Sequence, residues 1–587
     1  MGGNKMKRKS MFWLFAMILV LSAFLAACGG GDDKASDDKS GDSKDDGKAT
    51  EEKSEDSGPQ QGGTLTYALD AVPEGLYSYA FYGIATDAEI ISFFDESLIK
   101  YDENLEPIPN IAEWETEDNQ HFTFKFKEGV KWHNGEELTV NDWVFALETL
   151  ADPDYDGSRY TNVQDIEGAP EYREGKADSI SGLKVVDDYT IEVTFDEPRL
   201  NNLTNIWSYP MPEKAYEGIE VKDMSSSDIV RKNPIGVGPF KVEKIVPGES
   251  VELVKNDDYW NGDVNLDKVI IRIIDNSSTV GALQNGEVDM IAIQPVSGPE
   301  VEKLDNVEIV TAPGLSYYYV GFKLGKFDNA QRKIVEENPK YADLKLRQAM
   351  AHAINRQEWI DAFFFGYGEP VNKPVPSAHW IAADDSEVEV YDYDPEKAKQ
   401  LLDEAGFKDV DGDGFREDPD GEKFTVKFSH YATGNPTFES RAKAITQYWE
   451  EVGLKSELEM VEVNLYYDMI EKDDASIETF FGGWSTGTDP DPSGLWKADE
   501  LWNYPRYNNP EADALLDKAL NVEEVGDDKD KRKQIYAEWQ KKVTEDVPMI
   551  FIAELDEIMA VSDKVGGFEM DVSGTNNPSE WYLNESK

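Results

Sequence analysis

The sequence predicts a mixed α and β fold with more than one lobe. The chain has 587 residues, 40% of them hydrophobic, with 14 Trp, 26 Phe and 27 Tyr, which is more apolar material than one small core needs. Segments of alternating hydrophobicity, typical of half-buried strands, occur along the same chain as segments with helical spacing. No short internal repeat is present, which disfavours a solenoid or a propeller.

Three segments are predicted to be strands. Residues 121–127 alternate polar and apolar side chains, and residues 190–195 do the same, as expected of strands with one buried face. Residues 269–274 are almost continuously apolar, which predicts a more fully buried strand.

Three helices are predicted from their caps and their apolar spacing. A capping-box pattern at 139–142 opens a helix that runs towards residue 150. Apolar residues over 346–364 share one face of a single longer helix. A third helix over 395–405 begins with a proline and stops at Gly406, because proline suits the first turn of a helix and glycine the position after the last.

The first 27 residues are predicted to be a lipoprotein signal peptide. Basic residues lie within 5–9, and 11–27 carry no charge, a layout typical of secretory signals and short for a transmembrane helix. The sequence Leu25-Ala-Ala-Cys28 at the end of this run resembles a bacterial lipobox, in which the cysteine is lipidated. Cys28 is the only cysteine of the chain, so no intrachain disulfide is expected. An uncleaved membrane anchor is the alternative.

Residues 28–61 are predicted to be a disordered acidic tether. Asp, Ser, Lys, Gly and Glu dominate this segment, and such a composition cannot bury enough apolar surface to fold. We therefore expect a folded body from Gly62 onward, held at the outer face of the cytoplasmic membrane by its lipid alone. A Gram-positive type of bacterium is the expected source.

Charge and cysteine content exclude several classes of partner. The chain has 118 acidic and 58 basic residues and a formal charge of −60, so it is not expected to bind nucleic acid or an anionic membrane surface. One cysteine excludes four-thiolate zinc sites and iron–sulfur clusters. The five histidines do not fall at metal-ligand spacing, and no P-loop pattern is present.

The pattern Gly483-Trp-Ser485-Thr-Gly487 fits the nucleophile elbow of a serine hydrolase. That site needs a strand before the serine and a helix after it. The residues that follow, 488–492, contain two prolines, which disfavour a helix. The sequence therefore predicts a protein that is not an enzyme, with a secreted hydrolase using Ser485 as the alternative.

One acidic loop has the ligand spacing of a calcium-binding loop. Residues 409–420 place carboxylates at positions 1, 3, 5, 9 and 12 with a glycine at position 6, as in an EF-hand loop that has Asp in place of the final Glu. The sequence is compatible with a structural calcium ion and with a metal-free turn, and no other cofactor is expected. The candidate ligands are Asp409, Asp411, Asp413, Glu417 and Asp420.

Several blocks of the body together carry a family resemblance. They are 107–114, 122–135, 138–142, the turn Gly236-Val-Gly-Pro-Phe240, 256–262, 346–356, 395–407 and the loop 484–492. In this order they resemble the signature of the peptide- and nickel-type solute-binding proteins of ABC importers, and most of all the oligopeptide-binding lipoproteins of Gram-positive bacteria. Val237 departs from the threonine of that pattern.

The resemblance implies a three-lobed, periplasmic-binding-protein-like fold whose lobes close on a ligand about hinges near Tyr317 and Pro548. A monomer of this kind encloses an oligopeptide between its first and third lobes and delivers it to a membrane permease driven by separate ATPase subunits. The implied lobes are 62–104, 234–316 and 549–587 for the first, 105–233 for the second and 317–548 for the third.

The resemblance also implies which residues contact the ligand. Peptide-binding members carry an Asp three residues after the tryptophan of the ligand-lining loop, where this chain has Gly487; Asp489 is then expected to receive the peptide ammonium or to shape the turn. Adjacent tyrosines on a strand alternate between two faces, so a core role is open for some of them. An oligosaccharide or a metal chelate is the alternative ligand. The candidate contacts are Phe81, Tyr82, Tyr317, Tyr318, Tyr319, Trp484 and Asp489.

Overall fold

The computed structural model describes residues 60–433, 435, 437–526 and 528–584. The predicted signal peptide, Cys28 and nearly all of the predicted tether lie outside these residues. None of the helices in the described part is long and apolar enough to cross a membrane. The predicted mixture of α and β structure is confirmed.

One sheet of eleven strands dominates the molecule. Two long antiparallel strands, Val307–Phe322 and Met549–Ser562, form its middle, and Gly368–Pro370 pairs with the second of them. The first half-sheet, on one side, consists of Phe240–Val246, Ser250–Lys255, Lys268–Ile273, Thr64–Leu69 and Met290–Ala292. The second half-sheet, on the other side, consists of Thr479–Ser485, Val426–Ala432 and Ser456–Glu462.

A separate antiparallel sheet lies within residues 112–194. Its strands, in spatial order, are Ala112–Thr116, His121–Phe126, Thr190–Thr194 and Leu183–Asp187. Alternation predicted the two inner strands, and Phe122, Phe124 and Phe126 are buried on one face as expected. The helix Val140–Ala151 covers this sheet with Trp143, which packs at 4.9 Å from Phe124 between ring centroids. The predicted capping box between Thr139 and Asp142 is present.

Two predictions differ from the structure. The strand Lys268–Ile273 buries Val269 and Ile271 but not their neighbours, because only one face of the half-sheet is fully covered. The single helix predicted over 346–364 is two helices, Leu344–His352 and Arg356–Phe363. The side chain of Asn355 caps the second by accepting a hydrogen bond from the Glu358 amide, and apolar spacing alone does not reveal such an interruption.

The third predicted helix is Pro395–Ala405, which ends at Gly406 in the left-handed conformation with φ +92°. The other helices of eight or more residues are Phe438–Glu451, Val463–Glu471, Pro510–Leu520 and Lys529–Asp546. Shorter α-helices are Ala85–Ile91, Ala169–Arg173, Asn202–Asn205, Val221–Met224, Asp228–Arg231, Thr279–Gln284, Gly298–Val301, Ser493–Trp496 and Val522–Val525. Two-stranded ladders join Ile99–Tyr101 to Pro107–Pro109, Gly325–Asp328 to Lys333–Glu337, Val565–Gly566 to Tyr582–Leu583 and Met570–Asp571 to Gly574–Thr575.

The apolar core is divided into separate clusters. One surrounds the four-stranded sheet and extends from Ala80 to Val237. Two lie on either side of the second half-sheet, and two more accompany the first half-sheet. Cores that are separate in this way allow parts of a chain to move as units. The lobe boundaries stay a prediction.

Candidate ligand-binding site

The two half-sheets point the carboxyl ends of their parallel strands at each other. Met290–Ala292 ends opposite Met559, which pairs with Val310. Thr479–Ser485 runs in the opposite direction and ends opposite Ser316. Ligands of open α/β sheets bind outside the carboxyl ends of parallel strands. Both such edges therefore border one region, over the middle of the two long strands, which we call the cleft.

The loops that leave these edges touch across the cleft. Asn435, which follows the strand Val426–Ala432, donates a hydrogen bond through Nδ2 to Oε1 of Gln294 at 3.5 Å. Gln294 in turn donates through Nε2 to Asp70 Oδ2 at 3.1 Å. Asp70 and Gln294 each lie just beyond a strand of the first half-sheet. The contact identifies residues that face each other across the cleft.

The floor of the cleft is acidic. Glu554, Asp556 and Glu557 lie in the middle of the long strand Met549–Ser562, beside a register shift between Pro313 and Tyr317. Burial raises the pKa of all three carboxyls. Burial also raises the pKa of Glu89, and the neighbouring charges of Asp70 and Glu557 raise it further. Carboxylates held this close to one another favour a cationic group of a ligand.

Aromatic side chains form one wall of the cleft at the edge of the second half-sheet. The rings of Trp484 and Tyr504 lie 5.0 Å apart, and those of Tyr431 and Tyr467 are stacked at 6.0 Å. Trp484 is half-buried, and its Nε1 has no hydrogen-bond partner among the described residues. Such rings offer an apolar surface with polar edges. The sequence prediction included Trp484 but missed the three tyrosines, because Tyr431 lies at a strand end, Tyr467 in the helix Val463–Glu471 and Tyr504 in a loop, and only the fold brings them together.

The three adjacent tyrosines point to two faces of their strand. Tyr317 and Tyr319 are each 1% exposed and belong to the core. Tyr318 is half-buried on the opposite face, 5.2 Å from the ring of Phe481. Of the three, Tyr318 is therefore the one with surface left for a ligand.

The carboxylate of Asp489 accepts two hydrogen bonds from other residues of the protein. The Thr204 hydroxyl donates to Oδ2, and the Asp491 amide donates to Oδ1 at 2.8 Å. Burial raises the pKa of Asp489; burial together with the charge of Asp489 raises the pKa of Asp491 to about 6. The bond to Thr204 ties the loop 486–492 to the short helix Asn202–Asn205, close to a backbone bond from Leu200 N to Leu520 O at 3.2 Å.

Phe81 and Tyr82 have different environments. Phe81 is buried in the cluster around the four-stranded sheet, with its ring 5.7 Å from that of Tyr155. Tyr82 is half-buried, and the Arg159 guanidinium lies 4.2 Å from its ring centroid. Their contact with a ligand stays a prediction.

A family model described as bacterial extracellular solute-binding proteins, family 5 Middle, matches residues 106–504. The chain belongs to this family. The predicted family resemblance is thereby confirmed. Members of the family are extracytoplasmic solute-binding proteins.

The relatives of this family 5 protein are named for different ligands. The oligopeptide-binding protein AppA of Bacillus subtilis (strain 168) is 28% identical over 587 residues, which cover 98% of this chain and 99% of that protein. Heme-binding protein A of Haemophilus influenzae is 29% identical over 484 residues, which cover 78% of this chain and 81% of that protein. Both relatives are named for the ligand that they bind and neither for a reaction, which fits a protein that is not an enzyme.

Solved structures confirm the fold. The structure of B. subtilis AppA in complex with a nonapeptide matches with a TM-score of 0.68 at 26% identity, covering 90% of this chain and 100% of that one. The ABC transporter substrate binding protein CtaP of Listeria monocytogenes matches with a TM-score of 0.75 at 27% identity, again covering 90% and 100%. The predicted periplasmic-binding-protein-like fold is therefore correct.

Ser485 lacks the surroundings of a hydrolase nucleophile in this family 5 fold. It is the last residue of the strand Thr479–Ser485 and is exposed. The next helix is only Ser493–Trp496, so the strand is present but no helix follows directly. Within the described residues the Ser485 side chain makes no hydrogen bond to a histidine.

The acidic loop brings three of its five candidate ligands against a lysine, and a fourth, Asp409, lies beside two of them. The carboxylates of Asp409, Asp411 and Asp413 lie within 4.8 Å of one another. Lys423 Nζ lies 2.5 Å from Asp411, 2.7 Å from Asp413 and 2.8 Å from Glu417, and these hydrogen bonds raise the pKa of Lys423. The amide of Asp420 donates to Asp418. Sequence spacing missed Lys423 because it lies beyond the motif.

Proposed function

We propose that this protein captures oligopeptides outside the cytoplasmic membrane and delivers them to the permease of an ABC importer. The observation that carries the proposal is the cleft between facing strand edges, with an aromatic wall at Trp484 and an acidic floor at Asp556 and Glu557. The naming of B. subtilis AppA as an oligopeptide-binding protein supports the ligand class.

These surfaces suit the features that all peptides share. A peptide ammonium finds carboxylates on the floor, where a charge-assisted hydrogen bond is stronger than a neutral one. Side chains of many kinds pack on tyrosine and tryptophan rings without a fixed shape. Backbone groups in the loops that follow these strand ends are available to pair with an extended ligand. A receptor built in this way recognises the backbone and the termini more than the side-chain sequence.

Closure would couple binding to transport. The register shift between Pro313 and Tyr317 interrupts the pairing of the long strands at the floor of the cleft, and such irregularities are positions where strands bend. A ligand that contacts both edges favours the closed arrangement by its greater affinity for it. The permease, its separate ATPase subunits, a lipid on Cys28 and a monomeric state belong to this proposal.

No cofactor is proposed for ligand capture. A structural calcium ion at Asp409, Asp411, Asp413 and Glu417 stays a proposal, and calcium would have to displace the Lys423 ammonium from these carboxylates. An oligosaccharide, a metal chelate or a haem would keep the fold and change only the ligand.

Mass spectrometry tests the ligand class directly. The full chain is purified natively in mild detergent and denatured, and the released small molecules are identified. A mixed population of peptides in roughly stoichiometric amount is expected. A single sugar, chelate or haem in that amount would overturn the peptide proposal. If the protein is purified without a ligand, peptides are added and its melting temperature is measured, since a ligand bound only to the native state must raise it. The peptide proposal also fails if none of the added peptides raises that temperature.

The aromatic wall provides the matched variants. Trp484→Ala is expected to weaken peptide binding about tenfold or more, since it removes a half-buried aromatic surface from the cleft. Trp114→Ala, which removes a half-buried tryptophan from the separate four-stranded sheet, is the control and should leave affinity unchanged. Equal affinities of the two variants would count against a ligand at this wall.

A further inference from the structure

Four contacts join two parts of the molecule whose apolar cores are separate. One part surrounds the four-stranded sheet, and the other lies against the second half-sheet. The contacts lie beside the cleft, because one of them involves the loop 486–492 that follows the aromatic wall at Trp484. We call them the flank contact: the Thr204 hydroxyl donates to Asp489, Leu200 N donates to Leu520 O at 3.2 Å, Arg199 and Asn521 are antiparallel bridge partners, and Lys529 pairs with Glu106.

The flank contact links residues 105–233 to residues 317–548, which are the second and third lobes that the family resemblance implies. No other hydrogen bond or ion pair among the described residues connects these two ranges. No sheet in the described part of the chain includes strands from both. A movement of one lobe away from the other would therefore have to break this contact.

On one side, the four-stranded sheet holds the contact in place. Asn202 is 2% exposed, and its Nδ2 donates to the carbonyl oxygens of Asn119 at 2.8 Å and Glu197 at 2.9 Å. Leu203 packs against the core around that sheet, whereas Leu200 packs against a core of the second half-sheet. The segment that contains both leucines thus reaches the second core from a fixed position on the first.

On the other side, helix ends hold the contact in place. Arg532 Nε donates to Ala519 O at 3.0 Å, which fixes the end of the helix Pro510–Leu520 against the longer helix that follows. The Asn521 side chain accepts a hydrogen bond from the Glu524 amide at 2.9 Å. Because both faces are preformed, the contact can form by the approach of two rigid parts, without the cost of ordering a loop.

The chemistry of the flank contact suits a contact that forms and breaks. The ion-pairing side chains of Lys529 and Glu106 are 46% and 41% exposed, so water replaces their bond at little cost. The bond between hydroxyl and carboxylate and the backbone bond are polar as well, and only Leu200 and Leu520 add apolar surface. Polar interfaces of this kind are typical of domains that move relative to each other.

We propose that the flank contact is a latch, which forms when the cleft closes and separates when it opens. The inference rests on the proposed function, because it assumes capture by closure. The latch adds the same free energy to the closed arrangement whichever peptide is bound. It therefore strengthens the binding of every peptide by one common factor, whereas a residue that touches the ligand changes the preference among peptides.

Calorimetric titration with three peptides of unlike length and sequence tests the common factor, on the full chain freed of endogenous ligand by unfolding and refolding. Thr204→Val removes the donor to Asp489 and should weaken all three peptides equally, by about tenfold. Lys529→Met, at the exposed edge of the contact, should weaken them equally by less than about fivefold. Lys541→Met removes only the pair with Glu545 on the same helix and is the control, with unchanged affinities.

A disulfide tests whether the contact separates. Arg199→Cys and Asn521→Cys are combined in a full chain that carries Cys28→Ser, because the Cα atoms of antiparallel partners, about 5 Å apart, suit a disulfide. Oxidation in the presence of a fluorescently labelled peptide should trap it, and release into excess unlabelled peptide should be at least about 100-fold slower than from the reduced protein. A reductant should restore release.

Each outcome decides for or against the latch. Unchanged affinities in both Thr204→Val and Lys529→Met, or an altered preference among the peptides, overturn it and leave peptide capture standing. Unhindered release from the oxidised cysteine pair, or a pair that does not oxidise with or without peptide, overturns it in the same way. Failure of the unmodified protein to bind any peptide overturns the latch together with the proposed function.

Discussion

Two buried arginines near the second half-sheet differ in their partners: one has a carboxylate and the other has only neutral groups. Arg506 lies against Asp473, which also pairs with Lys323 and accepts the Phe327 amide at 2.7 Å. Arg441 lies against a neutral imidazole, a phenol and aromatic rings. The first site holds its own counter-ion and is complete as folded. The second has no carboxylate partner among the described residues and is held by neutral acceptors and aromatic rings, so the two sites show that burial of a cation does not always bring an anion with it.

The largest expected effect comes from breaking the complete site. Asp473→Asn leaves Arg506 and Lys323 buried without a carboxylate, so it should lower the free energy of unfolding by about 3–5 kcal/mol. Urea denaturation measures this loss. Asp468→Asn breaks only the exposed pair with Lys472 and should cost less than about 1 kcal/mol. If the two variants proved equally stable, the Asp473 cluster would not be structural.

At the second site, the pKa of His430 should report the charge of Arg441. Removing the charge of Arg441 with Arg441→Met should raise the pKa of His430 from about 3 by at least about one unit, equivalent to about 1.4 kcal/mol. Histidine-selective NMR titration measures the pKa, with His430→Gln to assign the signal. An unchanged pKa in the Met variant would mean that burial alone keeps this imidazole neutral.

The same pair predicts a pH dependence of stability. Because the folded-state pKa of His430 lies below its usual 6.5, the unfolded chain binds the proton more readily. The stability that the neutral imidazole contributes is therefore present above about pH 6.5 and is lost as the pH falls towards 3. Arg441→Met should lose less stability over this window than the unmodified protein. Parallel losses in urea titrations at each pH would contradict the coupling.

The acidic loop offers a third case, in which the ammonium of Lys423 is the counter-ion of a cluster of carboxylates. Lys423→Met removes two exposed ion pairs, which contribute little, and also the partner of the buried Glu417 carboxylate. It should therefore lower the melting temperature by about 2–4 °C, and millimolar calcium should restore it. Lys427→Met, which removes a distant pair with Glu478, is the control. If equilibrium dialysis found no calcium on either the unmodified protein or Lys423→Met, the loop would be a metal-free turn.

The smallest effect is expected at Asp489, whose oxygens are already engaged by Thr204 and Asp491. Asp489→Asn should change the ratio of affinities for a free and an N-acetylated peptide by less than about threefold. A drop of tenfold or more in calorimetry would show that this carboxylate meets the peptide ammonium, and the floor carboxylates would then lose that role.

Local patterns predicted much of the framework. Alternation placed the strand that buries Phe122, Phe124 and Phe126, and the capping box placed the helix from Val140. The ordered motifs led to the correct family. The break at Asn355 was missed because the apolar residues of the two helices continue one helical spacing, whereas a cap depends on a single side chain.

The sequence by itself determined the family, the fold class and the loop that contains Trp484, because motifs and hydrophobic periodicity are local properties of the chain. Tertiary structure alone decided that Tyr317 is core while Tyr318 has free surface, and that Lys423 enters a loop of carboxylates. It alone decided that Arg441 meets His430 and aromatic rings, and no acid of the part of the chain that the structure describes. Which charge finds a partner depends on distances between residues remote in sequence, and those are set only when the half-sheets pack.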